Sequence, residues 1–161
     1  GTGTHPTTAM CLQAIDACAS HSLRVVDYGC GSGILGIAAA RLGSGPVLAI
    51  DNDPQALVAS RANAETNGVG ADQFAVVMPD DGLVSQWTGT TELVVANILA
   101  GPLVDLAPTL VSLLAPGGQL LLAGLLEDQA SQVIDAYASR VPLQIAAQEE
   151  SWVLLSGQRA A

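Results

Sequence analysis

The sequence predicts an α/β fold: a doubly wound, mostly parallel sheet closed by a C-terminal antiparallel hairpin. Three observations predict it. Short apolar runs alternate with segments of helical spacing along most of the 161 residues. Two apolar runs then follow each other with no helix between them, at Leu143–Ala147 and Trp152–Ser156. The residues suited to ligand chemistry (Gly29, Asp51, the stretch Pro79–Gly82 and Asn97) each fall at the carboxyl end of a predicted strand. Sheets of this class bind ligands there, near the point where strand order reverses.

Each element has a local reason. Thr7 or Thr8 reads as a helix N-cap, with helical spacing in Met10, Cys11, Ile15 and Cys18 carrying the helix to about Ser20. Arg24–Tyr28 is strand one, and Gly33–Leu42 a helix ended by Gly43. Val47–Ile50 is strand two. Pro54 suits the first turn of a helix running to about Asn67 and stopped by Gly68. Phe74–Met78 is strand three, and Pro79–Thr91 a loop or one short helix. Leu93–Ala96 is strand four. Leu103–Leu114 is helical, with a kink or break at Pro108. Pro116-Gly117-Gly118 makes a turn into strand five, Gln119–Ala123, and Glu127–Ser139 is the last helix. The acidic Gln148-Glu149-Glu150-Ser151 joins the two final strands. No internal repeat, low-complexity tract or linker interrupts the chain.

Composition narrows the possibilities. Half of the residues are apolar, but aromatics make up only 3%, so Leu, Val, Ile and Ala must build the core. That suits parallel strands buried on both faces. The net charge is −10, and all five cations are arginines. Such a surface repels nucleic acid and anionic membranes and favours basic partners. The three cysteines, Cys11, Cys18 and Cys30, show no metal-type spacing, which fits a reduced cytoplasmic protein without a metal. No stretch is long and apolar enough to span a bilayer, and none reads as a signal peptide. The chain opens at Gly1 inside what reads as a functional loop, as expected of a piece of a longer protein.

Asp27–Gly33, D-Y-G-C-G-S-G, carries the chemistry, together with A-I-D-N-D-P at Ala49–Pro54. A Gly-rich turn lets backbone and ligand approach closely. An acid at the tip of the next strand, Asp51, can accept both hydroxyls of a ribose. Gly31–Gly36 also fits G-x-G-x-x-G, the dinucleotide fingerprint, but in the wrong register. Gly29 holds the position straight after the strand, so the fuller pattern is D-x-G-x-G-x-G, with Asp27 and Gly31 inside it. An acid there disfavours two phosphates and attracts an ammonium. A Walker phosphate loop is excluded, because it needs a lysine. Asn97, just past strand four in V-V-A-N-I-L, offers a carboxamide that can accept a hydrogen bond from an amine and aim its lone pair. Asp80 or Asp81 is placed to meet an adenine edge. His5 reads as a loop hydrogen-bonder rather than a base, and His21 as exposed.

The glycine turn resembles motif I of the class I S-adenosylmethionine-dependent methyltransferases. With G-T-G-T-H-P-T-T, A-I-D-N-D-P-Q-A, V-V-A-N-I-L-A-G-P-L and the ending Glu149-Glu150-Ser151-Trp152-Val153-Leu154, the chain is similar over nearly its whole length to the ribosomal protein L-eleven methyltransferase family. The resemblance implies a Rossmann-like seven-stranded sheet binding S-adenosyl-L-methionine. It places cofactor contacts at Thr8, Gly29, Asp51 and Asn97, beside Asp27, Gly31 and Asp81 from the reading above. Asn97 is the expected catalytic residue. Asn97-Ile98 stands where many amino-methylating relatives carry N-P-P-Y, a departure that argues against the glutamine methyltransferases and for this family. The implied reaction is methyl transfer to lysine side chains and an α-amino group of a basic ribosomal protein, with solvent taking the proton. Residues 1–161 would be the catalytic domain, without the amino-terminal domain that recognises the substrate. Two other readings are a nicotinamide-dependent oxidoreductase using Gly31–Gly36 and a non-catalytic cofactor-binding module.

Overall fold

The computed structural model describes residues 5–18 and 23–161. Gly1–Thr4 of the opening loop, the end of the first helix at Ser20, and His21 lie outside the described residues. Helix α1 (Pro6–Cys18) leads into β1 (Val25–Tyr28), α2 (Ile34–Arg41), β2 (Val47–Ile50), α3 (Pro54–Thr66) and β3 (Phe74–Val77). A short α4 (Gly82–Ser85) precedes β4 (Thr91–Asn97), α5 (Ala100–Asp105), α6 (Ala107–Leu113) and β5 (Leu114–Leu126). After α7 (Ala130–Tyr137) come β6 (Gln144–Glu149) and β7 (Trp152–Gln158). The seven strands form one sheet in the order β3-β2-β1-β4-β5-β7-β6. β1 to β5 are parallel, and β7 runs antiparallel to both of its neighbours. Strand order therefore reverses between β1 and β4, and the expected architecture stands.

The period-two alternation of strand side chains divides the core into two layers. Val26, Leu48, Val94 and Leu120 pack with α5, α6 and α7 on one face. Val25, Val47, Ala49, Val95 and Leu121 pack with α1, α2 and α3 on the other. Each face takes apolar residues, which is why the central strands read as unbroken apolar runs. Asp27 shares the face of Val25, and Tyr28 that of Val26. Two neighbouring residues at the end of β1 thus enter opposite layers. Tyr137 donates its buried hydroxyl to the Leu103 carbonyl at 2.6 Å, joining α7 to α5.

Several boundaries differ from the sequence reading. Helix α1 begins at Pro6, so Thr7 and Thr8 sit inside its first turn rather than capping it. His5 takes the capping place: its Nδ1 accepts from the Thr7 N–H at 3.2 Å. Pro108 does break the expected helix, but the break falls at Leu106, and Pro108 stands in the first turn of α6. Proline is tolerated there because that N–H has no helical partner. The Pro116-Gly117-Gly118 turn is absorbed into β5 as a register shift, between Thr91 paired with Leu114 and Leu93 paired with Gln119. Gln148 and Glu149 belong to β6, leaving a tighter corner at Glu150 and Ser151.

Candidate functional site at the strand-order reversal

The turn after β1 is anchored on its neighbour. The N–H groups of Gly29 and Cys30 donate to the last carbonyl of β2, Ile50, at 2.7 and 3.0 Å. Gly29, Gly31 and Gly33 have φ of +78°, +54° and +84°, a region that side chains rarely enter. At Gly29 space matters too, since a Cβ would lie 2.5 Å from the Ile98 side chain.

Asp51 ties this turn to the next one. Its Oδ2 accepts from the Gly31 N–H and its Oδ1 from the Asp53 N–H, both at 2.9 Å. A carboxylate offers about four acceptor positions, so each oxygen retains one for a ligand hydroxyl. Helix α3 holds the turn from its other side. Ser60 donates to the Gly31 carbonyl and Asn63 to the Ser32 carbonyl, both at 2.8 Å. The sequence reading missed these two residues. Their spacing of three from each other on a predicted helix is the signal that could have found them, because it puts both on one face.

Asp27 is buried among the layer of α2 and accepts from the Gly36 N–H at 3.1 Å. Burial pushes its carboxyl up to about 7, the Gly36 bond opposes the rise, and the Asp51 charge adds to it. The unfolded chain releases this proton near the usual carboxylate value of about 4, while the folded protein keeps it. Stability therefore falls as pH rises from about 4 to about 7. Asp27→Asn keeps an acceptor for Gly36 and removes the charge. We expect its urea midpoint to gain on that of the parent protein across this window. Midpoints that stay parallel with pH would show that Asp27 carries no such penalty.

A cleft of about 570 Å³ opens at the reversal. Tyr28 and Gly29 form its floor, with Asp51, Asn52 and Pro79 toward β2 and β3. Ile98, Leu99, Pro102 and Leu106 make an apolar wall toward β4 and α5. Leu99 is 70% exposed, unusual for so large an apolar side chain. Tyr28 and Leu99 stand inside the quoted motifs but carried no role in the sequence reading, because an aromatic or apolar side chain beside a strand end has no local mark of ligand contact.

Of the expected contacts, Gly29 and Asp51 line this cleft, whereas Thr8, Asp27, Gly31, Asp81 and Asn97 do not. Gly31 stands behind Asp51 as its hydrogen-bond donor. Asn97 ends β4 opposite Ala123, half-buried, with no partner for its carboxamide among the described residues. Asp81 caps α4 by accepting from the Leu83 N–H at 2.8 Å. Thr8 is buried in the first turn of α1. That turn is held near the same edge by His5, whose ring stacks edge-on against Trp152 at 5.0 Å. Among the described residues, no group of His, Cys, Asp and Glu is arranged to hold a metal ion.

Comparison with known proteins follows the same lines. A family model described as ribosomal protein L11 methyltransferase matches residues 1–160. The ribosomal protein L11 methyltransferase of Vibrio cholerae serotype O1 is 49% identical over 162 residues, covering 99% of this chain and 52% of its own. That of Pseudomonas paraeruginosa is 49% identical over 161 residues, covering 100% of this chain and 53% of its own. The chain thus spans about half the length of these relatives. A crystal structure of ribosomal protein L11 methylase from Lactobacillus delbrueckii subsp. bulgaricus superposes with a TM-score of 0.85 at 33% identity, covering 99% of this chain and 81% of that one. An RNA methyltransferase from Salinibacter ruber in complex with S-adenosyl-L-homocysteine shares the fold, with a TM-score of 0.70 at 22% identity over 97% of this chain and 94% of that one.

Proposed function

The chain belongs to the ribosomal protein L11 methyltransferase family, and from that premise we propose that it is the S-adenosyl-L-methionine-binding catalytic domain of a protein N-methyltransferase. Its substrates are lysine side chains and an α-amino group of a ribosomal protein, which places its work in the cytoplasm. The observation that carries this reading is the junction of Asp51 with the glycine turn, opening on a cleft with one polar and one apolar side. A nucleoside needs both: acceptors for its sugar hydroxyls and a flat apolar surface for its base. No helix among the described residues is long and apolar enough to cross a membrane.

The residues present fit this cofactor. The free acceptor positions of Asp51 suit the ribose hydroxyls, and the Asp27 carboxyl suits the amino-acid ammonium. That ammonium would draw Asp27 back toward its charged form, offsetting the burial that now opposes it. We assign Asp81, past β3, to the adenine end of the cofactor and Thr8, in the first turn of α1, to its amino-acid end, although neither lines the cleft. When bound, the sulfonium supplies a methyl group activated for in-line displacement.

The chain's own task is alignment and dehydration. A lysine amine, with a reference pKa of about 10.4, must reach the methyl group unprotonated. The wall of Ile98, Leu99 and Pro102 disfavours its charged form by excluding water, and solvent takes the proton. Asn97 accepts a hydrogen bond from the amine and points its lone pair. The nicotinamide alternative is less well supported. Gly36, which would complete its fingerprint, lies inside α2, where a Cβ would press on Phe74 and Val47. A third fingerprint glycine would pack the same way, so the register decides: Gly29, not Gly31, directly follows β1.

Two measurements test the proposal. S-adenosylhomocysteine should raise the melting temperature of the intact protein and NAD should not, since a ligand that binds only the folded state stabilises it. Asn97→Ala should lower the methylation rate at saturating cofactor by about 100-fold, the scale of a misplaced reactant. An unchanged rate would remove Asn97 from the mechanism.

A further inference from the structure

Helix α3 buries a narrow stripe against the rest of the fold: Ala56, Leu57, Ser60 and Ala64. Ser60 is the polar member of that stripe, and it is fully buried. Alanine would fill the place and favour the helix more. A serine inside a helix can turn its hydroxyl back onto the carbonyl four residues earlier. Ser60 instead reaches across to the glycine turn. It donates to the Gly31 carbonyl at 2.8 Å and lies 3.5 Å from the Cys30 thiol. A Cβ on Gly33 would stand 3.0 Å from the same hydroxyl.

The turn needs such anchors. Glycine takes positive and negative φ with similar ease, so Gly31 at +54° and Gly33 at +84° have other arrangements open to them. Each peptide link of the turn is nevertheless fixed by a partner. Asp51 accepts from the Gly31 N–H and so orients the link before Gly31. Ser60 holds the carbonyl of the link after it. Asn63 holds the Ser32 carbonyl at 2.8 Å, and the Gly33 N–H of that same link donates to the Cys30 carbonyl at 2.8 Å. A peptide link is planar, so fixing its carbonyl also fixes the direction of its N–H. Helix α3 joins these anchors into one strut. The Asp53 N–H donates to Asp51, and Asp53 caps the helix by accepting from the Gln55 N–H.

We propose that Ser60 and Asn63 are positioning residues for the amino-acid end of the cofactor, selecting the one form of the glycine turn that receives it. The inference rests on the cofactor reading above and adds what prepares that part of the site. Neither residue lines the cleft. Both act by holding the turn in its competent form before the ligand arrives, since apparent affinity falls with the competent fraction. The sugar and base are held by Asp51 and the cleft walls, so their binding is indifferent to this selection.

Two ligands separate the two ends. S-adenosylhomocysteine carries the amino-acid tail, and methylthioadenosine carries the same nucleoside and sulfur without it. In calorimetry on the intact protein, Ser60→Ala and Asn63→Ala should each bind S-adenosylhomocysteine about five- to tenfold more weakly, the scale of one released hydrogen bond. Each should bind methylthioadenosine within about twofold of the parent, because that ligand does not draw on the competent fraction. Asn63 is exposed, so its variant keeps the test open if loss of the buried Ser60 hydroxyl unsettles the fold. Arg61→Ala is the control. Its side chain makes a bond of the same kind from α3, to the Val76 carbonyl at 2.9 Å and away from the turn. It should bind both ligands as the parent does, whatever its melting temperature. Equal losses for the two ligands would make Ser60 and Asn63 supports of the fold alone and overturn the proposal, as would unchanged affinity for both. A parent that binds neither ligand would instead overturn the cofactor reading itself.

Discussion

Asp51→Ala is expected to weaken S-adenosylhomocysteine binding by roughly 10- to 150-fold, the equivalent of about 1.5–3 kcal/mol for lost charged hydrogen bonds. Two losses add here. The ribose loses its acceptors, and the Gly31 N–H loses the carboxylate that orients it at 2.9 Å. The Asp53 N–H loses its partner as well, so the start of α3 is released from the same point. Asp51→Asn keeps one acceptor oxygen and should fall between the two proteins. Calorimetry on the intact protein measures all three affinities. If Asp51→Ala binds as the parent does, the sugar is held elsewhere and the orientation of the cleft given above is wrong.

Gly124→Ala is expected to cost about 3 kcal/mol or more, the upper part of the range for overpacked sites. Gly124 has φ of +91°, and a Cβ there would lie 2.8 Å from the carbonyl carbon of Ile98 and 2.9 Å from its nitrogen. Backbone atoms cannot turn aside as a side chain can. Ile98 is also fixed by its own N–H, which donates to the Ala123 carbonyl at 3.1 Å. Either β5 shifts or the loop that carries Asn97 and the apolar wall is pushed out of place. For a domain of this size the melting temperature should drop by roughly 6–12 °C, and cofactor affinity should fall with it. Gly117→Ala supplies the comparison. It has φ of +79° but no atom within 4 Å of a new Cβ, so only the conformational cost of about 1–2 kcal/mol applies. If the two variants melt alike, close approach is not what Gly124 provides.

The two expectations differ in how far the sequence foresaw them. Asp51 was legible because its type and place are a local pattern: an acid one residue past an apolar run, preceded by a Gly-rich turn. Gly124 was not, because it sits inside β5 in an unremarkable Leu–Ala–Gly–Leu stretch, and its contact with Ile98 crosses from one strand to the next. The same contrast holds elsewhere. β2 matches its expected boundaries, since Val47–Ile50 is one apolar run with turn residues on both sides. β5 came out much longer than Gln119–Ala123, because β4 and β7 continue to pair with residues whose own preference is to turn. Thr7 and Thr8 look like helix caps in isolation. His5 and Pro6 start the helix earlier, and packing against the sheet buries both threonines.

Sequence alone determined the order of strands and helices, the family, and which acids and glycines stand at strand ends, because alternation, turn chemistry and charge are properties of neighbouring residues. Tertiary structure decided what those residues touch. It joined Asp51 to Gly31, set Ser60 and Asn63 behind the glycine turn, and laid Ile98 across Gly29 and Gly124. Those relations depend on which strands lie side by side. Hydrogen bonding and packing across the whole sheet set that order, and no local stretch of chain encodes it.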